Sequence, residues 1–161
     1  MMPEPAITTC LMSLLKLIFC ILSSITVLII SAPILNSSPR ANEFPKDKVI
    51  FTGNTSNVQD YLSAMDVFVF PSVFEGLGIV AIEAQVSGLP VVASNKVIPK
   101  EVCIDKEIFE FVDLNKDVQY WAERILNLAG KVRTRKSKLN LFEENHYSIE
   151  KEIKRVEGKL C

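Results

Sequence analysis

The sequence predicts an α/β domain, with a parallel sheet joined by helical crossovers and an apolar segment ahead of it. Two observations carry this prediction. From residue 48 onward, short apolar runs alternate with stretches of helical periodicity, the pattern of strands linked by right-handed crossovers. The composition also changes abruptly near residue 40, dividing a hydrophobic segment and linker (1–40) from the domain (41–161). With 48 % apolar and 23 % charged residues, the chain has material for a core and lies outside the disordered class.

Taken in order, "LMSLLKLIFCILSSITVLII" (11–30) is an apolar run whose only charge is Lys16. As a helix it is long enough to cross a hydrocarbon core of roughly 30 Å. Lys16 is the first basic residue, whereas Arg40, Lys46 and Lys48 follow the run, so a spanning helix would place the remainder in the cytoplasm, anchored to the inner face of the membrane. A cleaved signal peptide fits less well, because a basic leading region and a small-residue cleavage site are both missing. "SITVLIIS" (24–31) reads equally well as a buried strand, being rich in β-branched residues. Both readings stay open on the residues alone. "SAPILNSSPRANEFPKD" (31–47) has linker composition.

"KVIFTG" (48–53) then predicts a strand and turn, and "NVQDYLSAM" a helix with Val58, Tyr61, Leu62 and Met65 on one face. "DVFVFPS" (66–72) predicts a second strand ended by Pro71. A glycine turn, a helix, Gly88-Leu89-Pro90 and the strand "VVAS" follow. "EIFEFVDL" (107–114) predicts another strand. "VQYWAERILNLAG" predicts a helix with Trp121, Ile125 and Leu128 along one side and Gly130 as its stop. "SIEKEIKRVEGK" predicts a last helix, with Ser148 as candidate N-cap and Ile149, Ile153 and Val156 as its apolar stripe.

A formal net charge of −1 gives no electrostatic footprint for nucleic acid. Cys10, Cys20, Cys103 and Cys161 have neither metal-ligand nor disulfide-framework spacing, and read as reduced thiols of an intracellular protein. His146 stands alone, which favours a surface or cap residue over a ligand.

The residues with chemistry to explain are Glu75 and Glu83, with seven residues between them that include a glycine turn and a helix start. In open parallel sheets, ligands bind beyond the carboxyl ends of the strands. Gly76 and Gly78 carry no Cβ, so their amides can approach a ligand closely. A helix starting near Gly78 would aim its positive end at the same place, which suits a phosphate or diphosphate. A carboxylate beside a bound phosphate needs another task, and accepting hydrogen bonds from hydroxyls is the obvious one. Glu75 and Glu83 flanking such a site would match the hydroxyl-rich groups of a nucleotide sugar. The competing reading makes Glu75 a helix N-terminal acid and Glu83 a solvated helix-surface residue. On spacing alone, that reading is the stronger.

The surrounding residues alter the balance. "FPSVFEGLGIVAIEAQVSGLPVVAS" resembles the donor-binding signature of family 4 glycosyltransferases of the GT-B fold. It carries the strand with Pro-Ser, the Glu-Gly-Leu-Gly turn, the paired glutamates and the Gly-Leu-Pro-Val-Val strand. The resemblance runs from residue 48 to about 130 and is strongest with the bacterial exopolysaccharide and capsule branch. It implies a partial Rossmann-like sheet, the C-terminal half of a GT-B enzyme. It further implies a hexosyltransferase that takes a nucleotide sugar such as a UDP- or GDP-sugar and passes the sugar to a glycan or lipid-linked acceptor. By resemblance, Glu75 meets the sugar hydroxyls as the catalytic-site acid. The backbone at Gly76, Leu77 and Gly78 meets sugar and diphosphate, and Glu83 holds the ribose. The family implies retention of anomeric configuration with neither bound metal nor cofactor, and no Asp-x-Asp pair is present to argue otherwise.

The chain also departs from the family. It has no room for an acceptor domain, and nothing upstream of Val49 resembles the Arg/Lys loop that clamps the diphosphate. In the strand order 3-2-1-4-5-6, "KVIFT" would be the third strand and "DVFVF" the fourth, leaving the middle of the sheet to be filled. "TVLIIS" (26–31) stands about where the second strand belongs, without the usual Gly-x-Gly turn after it. A truncated domain, inactive by itself, is the favoured expectation, with the acceptor domain on another chain. The alternatives are a remnant that binds nucleotide sugar without transferring it, or a small membrane-anchored partner in a polysaccharide assembly complex.

Overall fold

The computed structural model describes residues 55–160 apart from 133, 145 and 146. The apolar run, the linker, "KVIFTG" and His146 therefore lie outside the described residues.

Three short strands form a parallel sheet in the order β1-β2-β3: β1 (Phe68–Phe70), β2 (Val91–Ser94) and β3 (Phe109–Val112). Phe68 pairs with Val91 and Val91 with Phe109, so the three strands start level. This is the 4-5-6 half of the expected strand order. Helix α1 (Val58–Ala64) precedes β1, α2 (Ile79–Val86) links β1 to β2, and a 3-10 turn (Lys100–Val102) lies between β2 and β3. Helices α3 (Val118–Lys131), α4 (Leu139–Glu144) and α5 (Ile149–Leu160) follow.

β2 is central and buried along its whole length, as its β-branched sequence requires. Alternation sends Val91 and Ala93 into a cluster with Leu62 and Met65 of the α1 region, Ala81 and Ile82 of α2, and Leu89. Helix α3 also packs on β2 and buries Trp121, Ala122, Ile125 and Leu128. Trp121 Nε1 donates to the Asp113 carbonyl at 3.2 Å, tying α3 to the end of β3. Asp117 caps α3 by accepting the Tyr120 N–H at 2.8 Å.

The segment after α3 returns across the domain. Arg135 donates to the carbonyls of Leu62 (3.1 Å) and Ser63 (2.9 Å), capping the C-terminus of α1. The Lys138 N–H donates to the Val86 carbonyl at 3.0 Å, and its ammonium lies 2.8 Å from Oδ2 of buried Asp105. That oxygen accepts no well-aligned hydrogen bond, so the contact is an ion pair. Burial pushes the Asp105 carboxyl up, but the Lys138 ammonium and the Glu107 N–H outweigh it and hold the group below the usual carboxylate value. A depressed folded-state pKa contributes stability above the unfolded value, about 3.9, that is lost as pH falls through the folded one. Wild type should therefore exceed Asp105→Asn in urea resistance at neutral pH, and the gap should close progressively below about pH 4. A gap independent of pH would show that the ion pair contributes nothing.

The last helix forms as its periodicity predicts, but its stripe stays uncovered: Ile149, Ile153 and Val156 are 72 %, 51 % and 51 % exposed. Ser148 directs its hydroxyl to the Glu150 carboxylate at 3.1 Å, while its carbonyl accepts the Glu152 N–H at 3.0 Å. Its backbone thus occupies the cap position while its side chain acts on an acid of the first turn. Among the described residues, no helix is long and apolar enough to cross a membrane.

Candidate functional site

Because the sheet is parallel, the loops following Phe70, Ser94 and Val112 all emerge at its carboxyl edge. Ser94, the last residue of β2, donates its hydroxyl to the Ser72 carbonyl at 2.6 Å and holds the first loop against the second. Ser72 in turn donates to the Phe74 carbonyl at 2.7 Å. The loop is thereby shaped just before Glu75.

Gly78 is the N-cap of α2, with φ 72 and ψ 37 in the left-handed region. A side chain there would be strained, and its Cβ would meet Phe70, Glu75 and Ile98 at 3.6–3.7 Å. Gly76 faces open space. One oxygen of Glu75, Oε1, accepts the Gly76 N–H at 3.1 Å and the Gly78 N–H at 3.2 Å. The expected acid-beside-amides arrangement is present, with the acid itself seated on two of the amides. The helix N-terminal role weighed against a ligand role for Glu75 is thus realised here, and Oε2 is left for other donors. An incoming anion reaches those amides only by displacing the carboxylate.

Glu83 lies on the exposed side of α2, one turn beyond Ile79, which is 58 % exposed. The buried side of the helix is made by Ala81, Ile82, Ala84 and Gln85. Glu75, half-buried in the turn, and Glu83, exposed on the helix, thus belong to one loop–helix unit. Leu77, at 49 % exposure, and Phe74, at 89 %, give the turn an apolar rim.

Two residues overlooked in the sequence support this edge. Lys96, in the loop after β2, approaches Asp113 Oδ2 at 3.4 Å and supplies a cation where none was expected. The Asn115 N–H holds the Asp113 carboxyl below its usual value, with Lys96 adding to the effect. Gln85 is wholly buried and fully used. Its Nε2 donates to the carbonyls of Ala81 (2.9 Å) and Val102 (2.8 Å), and its Oε1 accepts the N–H groups of Ile104 (2.9 Å) and Asp105 (3.2 Å). It orients α2 and so indirectly its N-terminus. Lys96 had one cue, its position just past a strand end; Gln85 had none.

Residues 14–131 match the family described as Glycosyl transferases group 1. The match extends the resemblance upstream of residue 48 and begins inside the apolar run, so that residues 26–31 lie within it. EpsF of Bacillus subtilis (strain 168) is 34 % identical over 88 residues, covering 55 % of this chain and 23 % of EpsF. The lipopolysaccharide core biosynthesis mannosyltransferase LpsB of Rhizobium meliloti (strain 1021) is 41 % identical over 49 residues, 30 % of this chain and 14 % of LpsB. The UDP-Gal:alpha-D-GlcNAc-diphosphoundecaprenol alpha-1,3-galactosyltransferase of Escherichia coli is 32 % identical over 95 residues, 53 % of this chain and 24 % of that enzyme. The matched region spans about a quarter or less of these relatives. The crystal structure of TarM superposes with a TM-score of 0.68 at 22 % identity, over 92 % of this chain and 31 % of TarM, a likeness of fold.

Proposed function

Since the chain belongs to the glycosyl transferases group 1 family, we propose that it forms the nucleotide-sugar-binding part of a hexosyltransferase of bacterial polysaccharide biosynthesis. The observation that carries this reading is the Glu75–Gly78 turn at the N-terminus of α2, with Glu83 exposed along the same helix. The Glu75 carboxylate turns to the hydroxyls of the donor sugar, and the released amides of Gly76 and Gly78, together with Leu77 N–H, receive the diphosphate. Glu83 accepts from the ribose hydroxyls. As the bond between sugar and diphosphate breaks, negative charge grows on the leaving oxygen. The helix N-terminus and the ammonium of Lys96 at the same edge are the groups here that would stabilise it. We assign the transfer to the retaining, metal-independent class, with the acceptor bound by a complementary region.

Two relatives support the substrate class. LpsB is named a mannosyltransferase of lipopolysaccharide core biosynthesis, and the Escherichia coli enzyme is named for a UDP-sugar donor and a lipid-diphosphate-linked acceptor. A second reading is a module that holds the donor without transferring it. Incubating the chain with UDP- and GDP-sugars and acceptor, and assaying nucleotide release, separates the two.

Calorimetry tests the site itself. Glu83→Ala should weaken both the nucleotide diphosphate and its sugar about 10- to 100-fold, as expected for losing hydrogen bonds to a charged group. Glu75→Ala should weaken the nucleotide sugar while leaving the bare nucleotide diphosphate unweakened. Glu75→Gln, which keeps an acceptor for the turn, separates the capping role from the sugar role. Equal affinities in wild type and all variants would remove both assignments.

A further inference from the structure

At the opposite edge of the sheet, before β2 and β3 begin, lies a concavity of about 770 Å³. Its wall brings together Lys106, Lys131, Lys136 and Lys138 against a single acid, Glu107, with the hydroxyl residue Thr134 among them. Lys138 is already matched by Asp105 at 2.8 Å. Lys106, Lys131 and Lys136 have no ion pair among the described residues, which leaves three unmatched lysines and one acid in the lining.

Lys131 sits in the last turn of α3, where the helix dipole favours a cation. Lys106 and Lys136 lie outside the helices and have no such local reason to be there. The segment of Lys136 and Lys138 is held by backbone. The main chain of Lys136 passes directly over Gly88, and the Lys138 N–H is bonded to the Val86 carbonyl. Unmatched like charges gathered around one hollow repel each other, and an anion that enters removes that cost. Ammonium groups serve as point-charge partners for phosphate, and the hollow is within the usual size range for small-ligand sites.

We propose that this concavity is a second anion site, taking a phosphate-bearing group, separate from the Glu75 edge. The phosphate belongs either to a soluble phosphoanion or to a lipid headgroup, and two probes separate these sources. Inorganic pyrophosphate is titrated into the full chain by calorimetry, and vesicles of phosphatidylglycerol or of phosphatidylcholine are cosedimented with it. The variant combines Lys106→Ala, Lys131→Ala and Lys136→Ala. All three side chains are exposed, so the fold is retained, which circular dichroism checks.

The expected result is saturable pyrophosphate binding that weakens about tenfold or more in the triple variant. Binding to phosphatidylglycerol vesicles alone, lost in the triple variant, assigns the phosphate to a lipid headgroup. A control removing equal charge elsewhere, Lys116→Ala with Lys151→Ala and Lys154→Ala, should bind as wild type does. Equal loss in that control, no loss in the triple variant, or no binding of wild type to either probe overturns the site.

Discussion

Gly88→Ala is expected to destabilise the domain by about 4 kcal/mol, much of the roughly 5–15 kcal/mol that holds an ordinary domain together. Two independent costs combine. Gly88 has a φ of +71, where a side chain costs on the order of 1–3 kcal/mol. An alanine Cβ would also lie 2.4 Å from the carbonyl oxygen of Lys136, a backbone atom that no rotamer change can move aside. The glycine is needed because α2 ends in a Schellman motif. Gly88 N–H bonds the Gln85 carbonyl and Leu89 N–H the Ala84 carbonyl, both at 2.9 Å. That closure turns the chain sharply into Pro90 and β2. Urea denaturation of the full chain measures the loss. Gly76→Ala is the contrast: no atom lies within 4 Å of its added methyl, and a change under about 1 kcal/mol is expected. Similar effects for the two substitutions would contradict the geometry.

Gln85→Leu is the second large effect. Leucine is close in volume and keeps the helix, so the change isolates the polar network. It strands the N–H groups of Ile104 and Asp105 and the carbonyl of Val102, all of which Gln85 satisfies in a site with no exposure. Each buried group left without a partner costs about 1–3 kcal/mol, so the sum is about 4 kcal/mol after the gain from a more apolar side chain. Gln85→Glu should also be strongly destabilising at neutral pH. An ionised carboxylate can accept from Ile104 and Asp105 but cannot donate to Ala81 and Val102. A stability loss under about 1 kcal/mol for Gln85→Leu would show that the loop after the 3-10 turn finds other partners.

The elements whose cause is local were legible. Helices α1, α2, α3 and α5 follow from apolar spacing, and the three strands from short β-branched or aromatic runs closed by Pro, Asn or Asp. Their ends were less so: "EIFEFVDL" pairs only over Phe109–Val112, because the length of β2 limits the ladder. Helix α4 was not anticipated, since its few apolar residues gain their order by packing on α2. The long-range polar contacts were equally hidden. Gln85 bonds to residues 17 to 20 positions away, and Arg135 to a carbonyl 73 positions away. The exposed stripe of α5 shows the converse limit: periodicity reveals an apolar face without naming what covers it.

At the candidate site, the turn, its glycines and both glutamates were legible in the motif. The bonding of Glu75 to its own neighbours was not, because it depends on how the turn closes. Gly78 must enter the left-handed region before its amide and that of Gly76 converge on one oxygen.

On the proposed function, that self-occupied turn would work as a tethered competitor. A free phosphate arriving at these amides gains two donors and, in exchange, sets adrift a carboxylate that had them. A sugar diphosphate would re-employ the evicted group at once, because its hydroxyls would offer new donors to the same oxygens. On the proposed function, the loop would therefore screen molecules by conjunction, holding those that bear both features and releasing the spent nucleotide once the sugar has gone.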